Sequence, residues 1–319
     1  MVQNFSAARE AESLISWLRA THATVLRRNG GIVGVSGGID SATVLHLAAR
    51  ALGSQQVVAL VLPDRDSSPV SASLALDMAA RLGVQAIQID LSAVLQAYGC
   101  YELRDQAIQH AIPEFSPRHD KAKIVLPENL LAQASLNIFS AIVVKPDGQQ
   151  IRRRLSVSDL RQIVAASNIK QRVRMTRLYY EAERRNFSVI GTANKNEYDL
   201  GFFVKYGDGG ADLLPLRHLF KTQIYALADY LGVPEAIVQR APTTDTYSAE
   251  CSQEEFFYRL PFAVLDSIWQ AHERQDPPAQ IARALGLQIV QVEHVLHDLQ
   301  RKKHTTEYLR LDPITASEH

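Results

Sequence analysis

The residues best suited to chemistry are Ser36-Gly37-Gly38-Ile39-Asp40-Ser41, set between the apolar run GIVGV and the helical stretch ATVLHLAARALG. Glycines let the backbone approach an anion with no Cβ in the way. Amides at the start of the following helix point at that anion, aided by the helix dipole. The serines add hydroxyl donors, and Asp40 can hold a magnesium ion against phosphates. The spacing is neither G-x-x-x-x-G-K-[ST] nor the G-x-G-x-x-G of dinucleotide-binding dehydrogenases. A bare glycine-rich turn is the plain alternative, but it leaves the flanking serines and acid unexplained.

A second polar cluster, Gly191-Thr192-Ala193-Asn194-Lys195-Asn196-Glu197, follows the apolar run FSVI. It continues through Gly201-Phe202-Phe203-Val204-Lys205-Tyr206-Gly207-Asp208 to Asp212, then Lys221, and finally Pro242-Thr243-Thr244-Asp245. Glu197, Asp208 and Asp212 with Lys205 and Lys221 are what a magnesium–nucleotide site with an anionic second substrate needs. An ordinary solvated turn accounts for Asp208–Gly210, but not for two aromatics kept beside the charges.

These residues need elements to hold them. Apolar runs at 31–36, 57–62, 84–90 and 187–192 read as strands, and they alternate with helical stretches. The predicted fold class is α/β, a doubly wound, mostly parallel sheet with flanking helices. Such sheets bind ligands at the carboxyl ends of their strands, where both clusters lie. Helices are expected at 168–186 and at 219–232, the latter stopped by Gly232 and Pro234. Residues 96–155 stand apart and carry a strand–turn–strand signal around Pro146-Asp147-Gly148. From Ser252 onward the chain reads as helical. Residues 1–250 are thus expected to form the nucleotide-binding α/β domain, with an atypical insertion at 96–155, and 251–319 a helical region.

SGGIDS resembles the SGGxDS signature of the N-type ATP pyrophosphatases, which cleave ATP between the α and β phosphates. Residues 191–221 (GT-N-E-x(3)-GFF-x-KYGDGGADLLPL-x(2)-L-x-K) resemble the substrate loop of ammonia-dependent NAD synthetases. Asn168 to Met175 is similar to that family's N-x(3)-R-x-R-M helix, and the likeness spans 30–90 and 165–247. The resemblance implies the fold of the PP-loop, adenine nucleotide α hydrolase-like proteins. It implies that Ser36, Gly37, Gly38, Asp40, Ser41, Thr192, Lys221 and Thr243 bind ATP. Asp40 and Glu197 would carry Mg2+, and Arg172, Lys205, Asp208, Asp212 and His304 would meet deamido-NAD. Asp40, Asp208 and Lys221 would be the catalytic set. The implied reaction adenylates the nicotinate carboxylate and then joins ammonia to the acyl carbon.

The likeness thins elsewhere. The 96–155 segment is longer than the family pattern, and Lys302-Lys303-His304-Thr305-Thr306 keeps only a histidine of the family's C-terminal basic motif. Arg152, Arg153 and Arg154 are the nearest replacement cations in sequence. Amidation of another carboxylate, such as a sugar acid or biosynthetic intermediate, stays open beside NAD formation. Thiolases and sulfate reductases of the PP-loop class need reactive cysteines, and Cys100 and Cys251 have no motif context. A non-catalytic nucleotide sensor would tolerate loss of the acids, and all of them are present.

Composition narrows the partners. Lys+Arg and Asp+Glu each number 34, so the basic excess of a nucleic-acid binder is missing. Charges at Arg9, Glu10, Glu12 and Arg19 break every apolar run near the N-terminus. No membrane association and a cytoplasmic location are therefore expected. Ala8, Leu14, Ile15, Leu18 and Val25 suggest an amphipathic first helix. The resemblance implies a homodimer. Nitrogen is expected as free ammonia or from a separate glutaminase, since no amidase arrangement is visible.

Overall fold

A computed structural model describes residues 5–127, 130–131, 138–243 and 246–316. Part of the 128–137 stretch, Thr244 and Asp245 lie outside the described residues. The elements run α1 (Ala7–Thr21), β1 (Gly31–Gly34), α2 (Ile39–Leu52), β2 (Val57–Val61), α3 (Pro69–Arg81) and β3 (Gln85–Gln88). Then follow α4 (Ser92–Ala97), α5 (Cys100–Ala111), β4 (Lys121–Val125), β5 (Ser140–Val144), β6 (Gln150–Arg154) and α6 (Val157–Glu183). The last third holds β7 (Ser188–Ile190), α7 (Lys195–Leu200), α8 (Lys221–Leu231), α9 (Glu235–Val238), α10 (Phe262–Glu273), α11 (Pro278–Leu285) and α12 (Ile289–Thr305).

The main sheet is parallel, in the order β3-β2-β1-β7. Alternating residues feed opposite layers, as the period of a strand requires. Val33, Ala59 and Val61 pack under α1, α2, α3 and α8, while Ile32, Val58 and Leu60 pack under α4, α5 and α6. The sheet is therefore doubly wound, as expected. The chain leaves β1 toward β2 on one side and returns to pair β7 on the other. The crevice at that switch point is where both polar clusters emerge.

Residues 96–155 contain the expected hairpin, β5 and β6 around the Pro146–Gly148 turn. They also hold helix α5 and a third antiparallel strand, β4, which the sequence reading did not anticipate. This small sheet packs Ala122, Ile124, Ala141 and Val143 against Ile108 of α5 and Ile163 of α6. The helix expected from 168 starts eleven residues earlier, because Ser156 caps it by accepting the Asp159 amide at 3.1 Å. Gly232 ends α8 in left-handed backbone, as its sequence position suggested. From Phe262 to Thr305 the chain is helical, in α10, α11 and α12. Trp269, Ile268, Val292 and Val295 form a core that reaches Leu200 and Phe220. Among the described residues no helix is long and apolar enough to cross a membrane.

A buried ionic network pins the loop after β2 to α5 and α6. Lys170 is fully buried, and its ammonium donates to Asp64 (3.0 Å), Asp66 (2.7 Å) and the Thr246 carbonyl (3.0 Å). Arg174 bonds the other Asp64 oxygen at 2.7 Å, and Arg104 bonds Asp66 at 2.5 Å. Burial by itself raises the Asp66 pKa, but Arg104 and Lys170 outweigh it and hold the carboxyl below its ordinary range. A carboxyl held low stabilises the fold above its unfolded pKa of about 4 and loses that contribution as pH falls through the folded value. Removing one partner leaves buried charge uncompensated, which costs about 3–5 kcal/mol. Lys170→Met should lose that much stability in urea unfolding at neutral pH. A loss under about 1 kcal/mol would show that the network adds little.

Candidate active site

The phosphate loop closes on itself. Ser41 Oγ accepts the Ser36 amide at 3.2 Å and donates to the Gly38 carbonyl at 3.0 Å, while Ser36 Oγ accepts the Gly38 amide at 3.3 Å. Gly37 sits at φ +78°, and a Cβ there would lie 2.4 Å from the Ser71 carbonyl oxygen. Only glycine fits both demands. No side chain caps α2, so its opening turn faces the cavity. That cavity is walled by the ends of β1, β2 and β7 and by Gln171 and Arg174 of α6. A smaller one adjoins it, lined by Gly38, Lys221 and Arg240, and the two share Ser36, Asp40, Ser71, Thr243 and Gln253.

The charged centre joins four helices. Lys221, at the start of α8, is fully buried and pairs with Asp40 of α2. Asp40 also accepts Asn194 Nδ2 at 3.1 Å. Asn194 and Glu197 cap α7 reciprocally. Asn196 accepts the Lys221 amide at 3.0 Å and donates to Asp266 of α10 at 2.6 Å, and Asp266 also takes the Thr222 amide at 2.9 Å. Burial would lower the Lys221 pKa, but Asp40 and Glu197 outweigh it and hold the group as ammonium. Burial and then the Asp40 charge push the Glu197 carboxyl above its usual range. Asp208 keeps an exposed face at the cavity rim. The protein mass around its carboxyl still moves it upward, against hydrogen bonds from backbone amides including that of Val204 and the charge of Arg174.

The centre fits a magnesium ion. Glu197 and Asp40 repel each other, and a divalent cation between them relieves that repulsion. Among the described residues no three His, Cys, Asp or Glu side chains gather around one point. Two carboxylates completed by phosphate oxygens and water is the coordination Mg2+ favours with nucleotides.

The sequence model described as NAD synthase matches residues 10–124 and 128–308. This chain belongs to the NAD synthase family. The NH(3)-dependent NAD(+) synthetase of Rhizobium meliloti (strain 1021) is 44% identical over 306 residues, covering 96% of this chain and 91% of that protein. Among solved structures, an NMN synthetase from Francisella tularensis superposes with a TM-score of 0.63 at 23% identity, over 98% of this chain and 99% of that one. The NH3-dependent NAD synthetase from Campylobacter jejuni does so at 0.63 and 22%, over 97% and 99%. At those identities the two structures speak for the fold.

Of the residues expected from the family motifs, Ser36, Gly38, Asp40, Ser41, Thr192, Glu197, Asp208, Lys221 and Thr243 line the paired cavities, with Gly37 as their turn. The remaining four line neither cavity. Arg172 is exposed and donates to the Lys205 carbonyl at 3.3 Å. Lys205 donates to the carbonyls of Tyr308 (3.2 Å) and Leu311 (2.6 Å). Asp212 accepts the Val189 amide at 2.7 Å and the Tyr179 hydroxyl at 3.0 Å. His304 lies exposed near the end of α12. Arg152, Arg153 and Arg154 lie exposed on β6, an outer strand of the small sheet.

Several residues of the site were not singled out from the sequence. Arg174 stands two positions from Arg172 in the same motif and is the one that faces the cavity. Ser67 and Ser68 belong to the polar loop PDRDSSP, which was visible but unassigned. Gln253 reaches Glu197 at 3.4 Å from a segment with no motif at all.

Asp40→Asn exchanges a metal-binding carboxylate for an amide, which binds Mg2+ poorly. Glu197 still faces Lys221, so the fold should persist by circular dichroism while pyrophosphate release falls at least about 100-fold. Turnover within about threefold of wild type at saturating magnesium would remove Asp40 from the catalytic set.

Proposed function

We propose that this chain forms NAD from deamido-NAD and ammonia, consuming ATP and releasing AMP and pyrophosphate. The observation that carries the reading is the gathering of family-motif residues from four segments, 36–41, 192–208, 221 and 243, around one cleft. The 44% identity to a curated NH(3)-dependent NAD(+) synthetase points to the same substrates.

The geometry suggests a division of labour. Loop hydroxyls and the uncapped start of α2 hold the phosphates. Lys221 offsets the charge that grows as a carboxylate oxygen bonds the α-phosphorus and the bridge to the β-phosphate breaks. Asp40 and Glu197 would hold Mg2+, which supplies charge neutralisation on the same oxygens. Ammonia then attacks the acyl carbon of the adenylate, and AMP departs. With both reactants held in one cleft, most of the acceleration comes from positioning and fixed charge. Residues 1–250 carry this chemistry in our reading, with 251–319 as a helical support that contributes Gln253. The protein acts in the cytoplasm on free ammonia or on ammonia from a separate glutaminase.

Incubation with ATP, Mg2+, ammonium and either deamido-NAD or nicotinic acid mononucleotide tests the acceptor. Deamido-NAD should give amide with one AMP per product. Product from the mononucleotide or another acid alone would keep the ligase chemistry and reassign the substrate. We also propose a homodimer, in which the residues placed away from the cavity meet a neighbouring subunit. Light scattering should give twice the chain mass at micromolar concentration, and a monomer throughout would count against it.

A further inference from the structure

The smaller cavity has a cation that none of the motifs includes. Arg240 lies just beyond α9, and its guanidinium donates to Ser71 Oγ at 2.8 Å. The backbone of Ser71 is the surface on which Gly37 turns, as the 2.4 Å approach of a Cβ at Gly37 to the Ser71 carbonyl requires. Arg240 therefore stands directly behind the phosphate loop. The loop that carries it is held by the Gln253 amide on the Pro242 carbonyl (2.9 Å) and by a bridge between Thr243 and Ser252.

The charge around this cavity is out of balance. Among the described residues, Lys221 and Arg240 line it with a single acid, Asp40, which is already paired with Lys221. Among the described residues Arg240 meets no carboxylate, whereas Arg104 is paired with Asp66 and Asp105 and Arg174 with Asp64. Two cations held together in a recess repel each other unless an anion joins them. A guanidinium that has given one hydrogen bond to Ser71 keeps further N–H donors suited to phosphate oxygens. The cavity adjoins the larger one across Ser36 and Asp40. A triphosphate lying along the loop would pass from one cavity into the other at those residues.

Resting on the ATP-cleaving reading above, which already sets the ATP phosphates along this loop and Lys221, we propose that Arg240 binds the departing pyrophosphate. As an acceptor carboxylate oxygen bonds the α-phosphorus, the bond from that phosphorus to the bridging oxygen breaks. The bridging oxygen keeps the electron pair and leaves as part of pyrophosphate, and no proton moves. Arg240 meets the charge that this oxygen gains. The guanidinium acts on the leaving group and does not touch the acceptor.

The test is exchange of labelled pyrophosphate into ATP, with deamido-NAD and Mg2+ present and ammonium omitted. Arg240→Ala should raise the KM for pyrophosphate at least about tenfold and lower the exchange rate, with the KM for deamido-NAD within about twofold. Arg240→Lys, which keeps the charge and loses the fork, should fall between. If wild type exchanges and the alanine variant keeps its pyrophosphate KM within about twofold, the assignment of Arg240 is overturned. If wild type itself gives no exchange with deamido-NAD, the proposed function is what fails. Should the alanine variant not fold, the lysine variant decides on the same readout: a pyrophosphate KM raised about threefold or more supports the role, and an unchanged one overturns it.

Discussion

The contact between Lys221 and Asp40 is the constraint around which this molecule is arranged. A fully buried ammonium is tolerated only with anions and hydrogen-bond acceptors fixed around it. Here those come from α2, which carries Asp40, and from the α7 turn, which carries Asn194 and Glu197. Asp266 on α10 in turn takes the Thr222 amide and Asn196, setting the angle at which α8 enters. One cation thus ties the phosphate loop to the helical region. The same cation is the group that chemistry on a phosphate would use.

A second buried cation, Lys170, does comparable work on the opposite wall. It holds Asp64 and Asp66, and Asp64 in turn holds Arg174 at the cavity edge. The loop after β2 would otherwise be a solvated connection. Pinned in this way, it brings Ser67, Ser68 and Ser71 across from the glycine turn. The charges of Lys170, Asp64 and Asp66 are buried, where ionic hydrogen bonds act at low dielectric and are the stronger for it.

The small antiparallel sheet and the C-terminal helices add reach to this centre. Tyr247 and Phe256 pack into the core beneath β4 and β5, and Gln253 is delivered to Glu197 from the same stretch. Four of the five residues that family motifs associate with the second substrate, all but Asp208, lie outside the cavities, and Lys205 is bound to carbonyls of the chain's own terminal segment. A single chain therefore gathers the glycine loop, Asp40 and Lys221 around the cavities and leaves those four residues outside them.

Local pattern by itself determined the parallel sheet, the glycine turn, the hairpin at Pro146–Gly148 and the stop at Gly232. Each depends on neighbours within a few positions: strand and helix periods, positive φ at glycine, a cap. The long α6 was legible only in its second half, because its start depends on one serine cap rather than on an apolar stripe. The motif residues named the chemistry, since their types and order are those a magnesium–nucleotide site needs. Tertiary structure alone decided which of them meet. Asp40 and Lys221 are 181 positions apart, and Arg240 stands 169 from Ser71. It also decided that Arg174 rather than Arg172 faces the cavity, because the side of α6 turned inward is selected by its packing on the sheet. Partnerships of that kind carry no spacing signal, because they arise only when separate elements bury their apolar faces against one another.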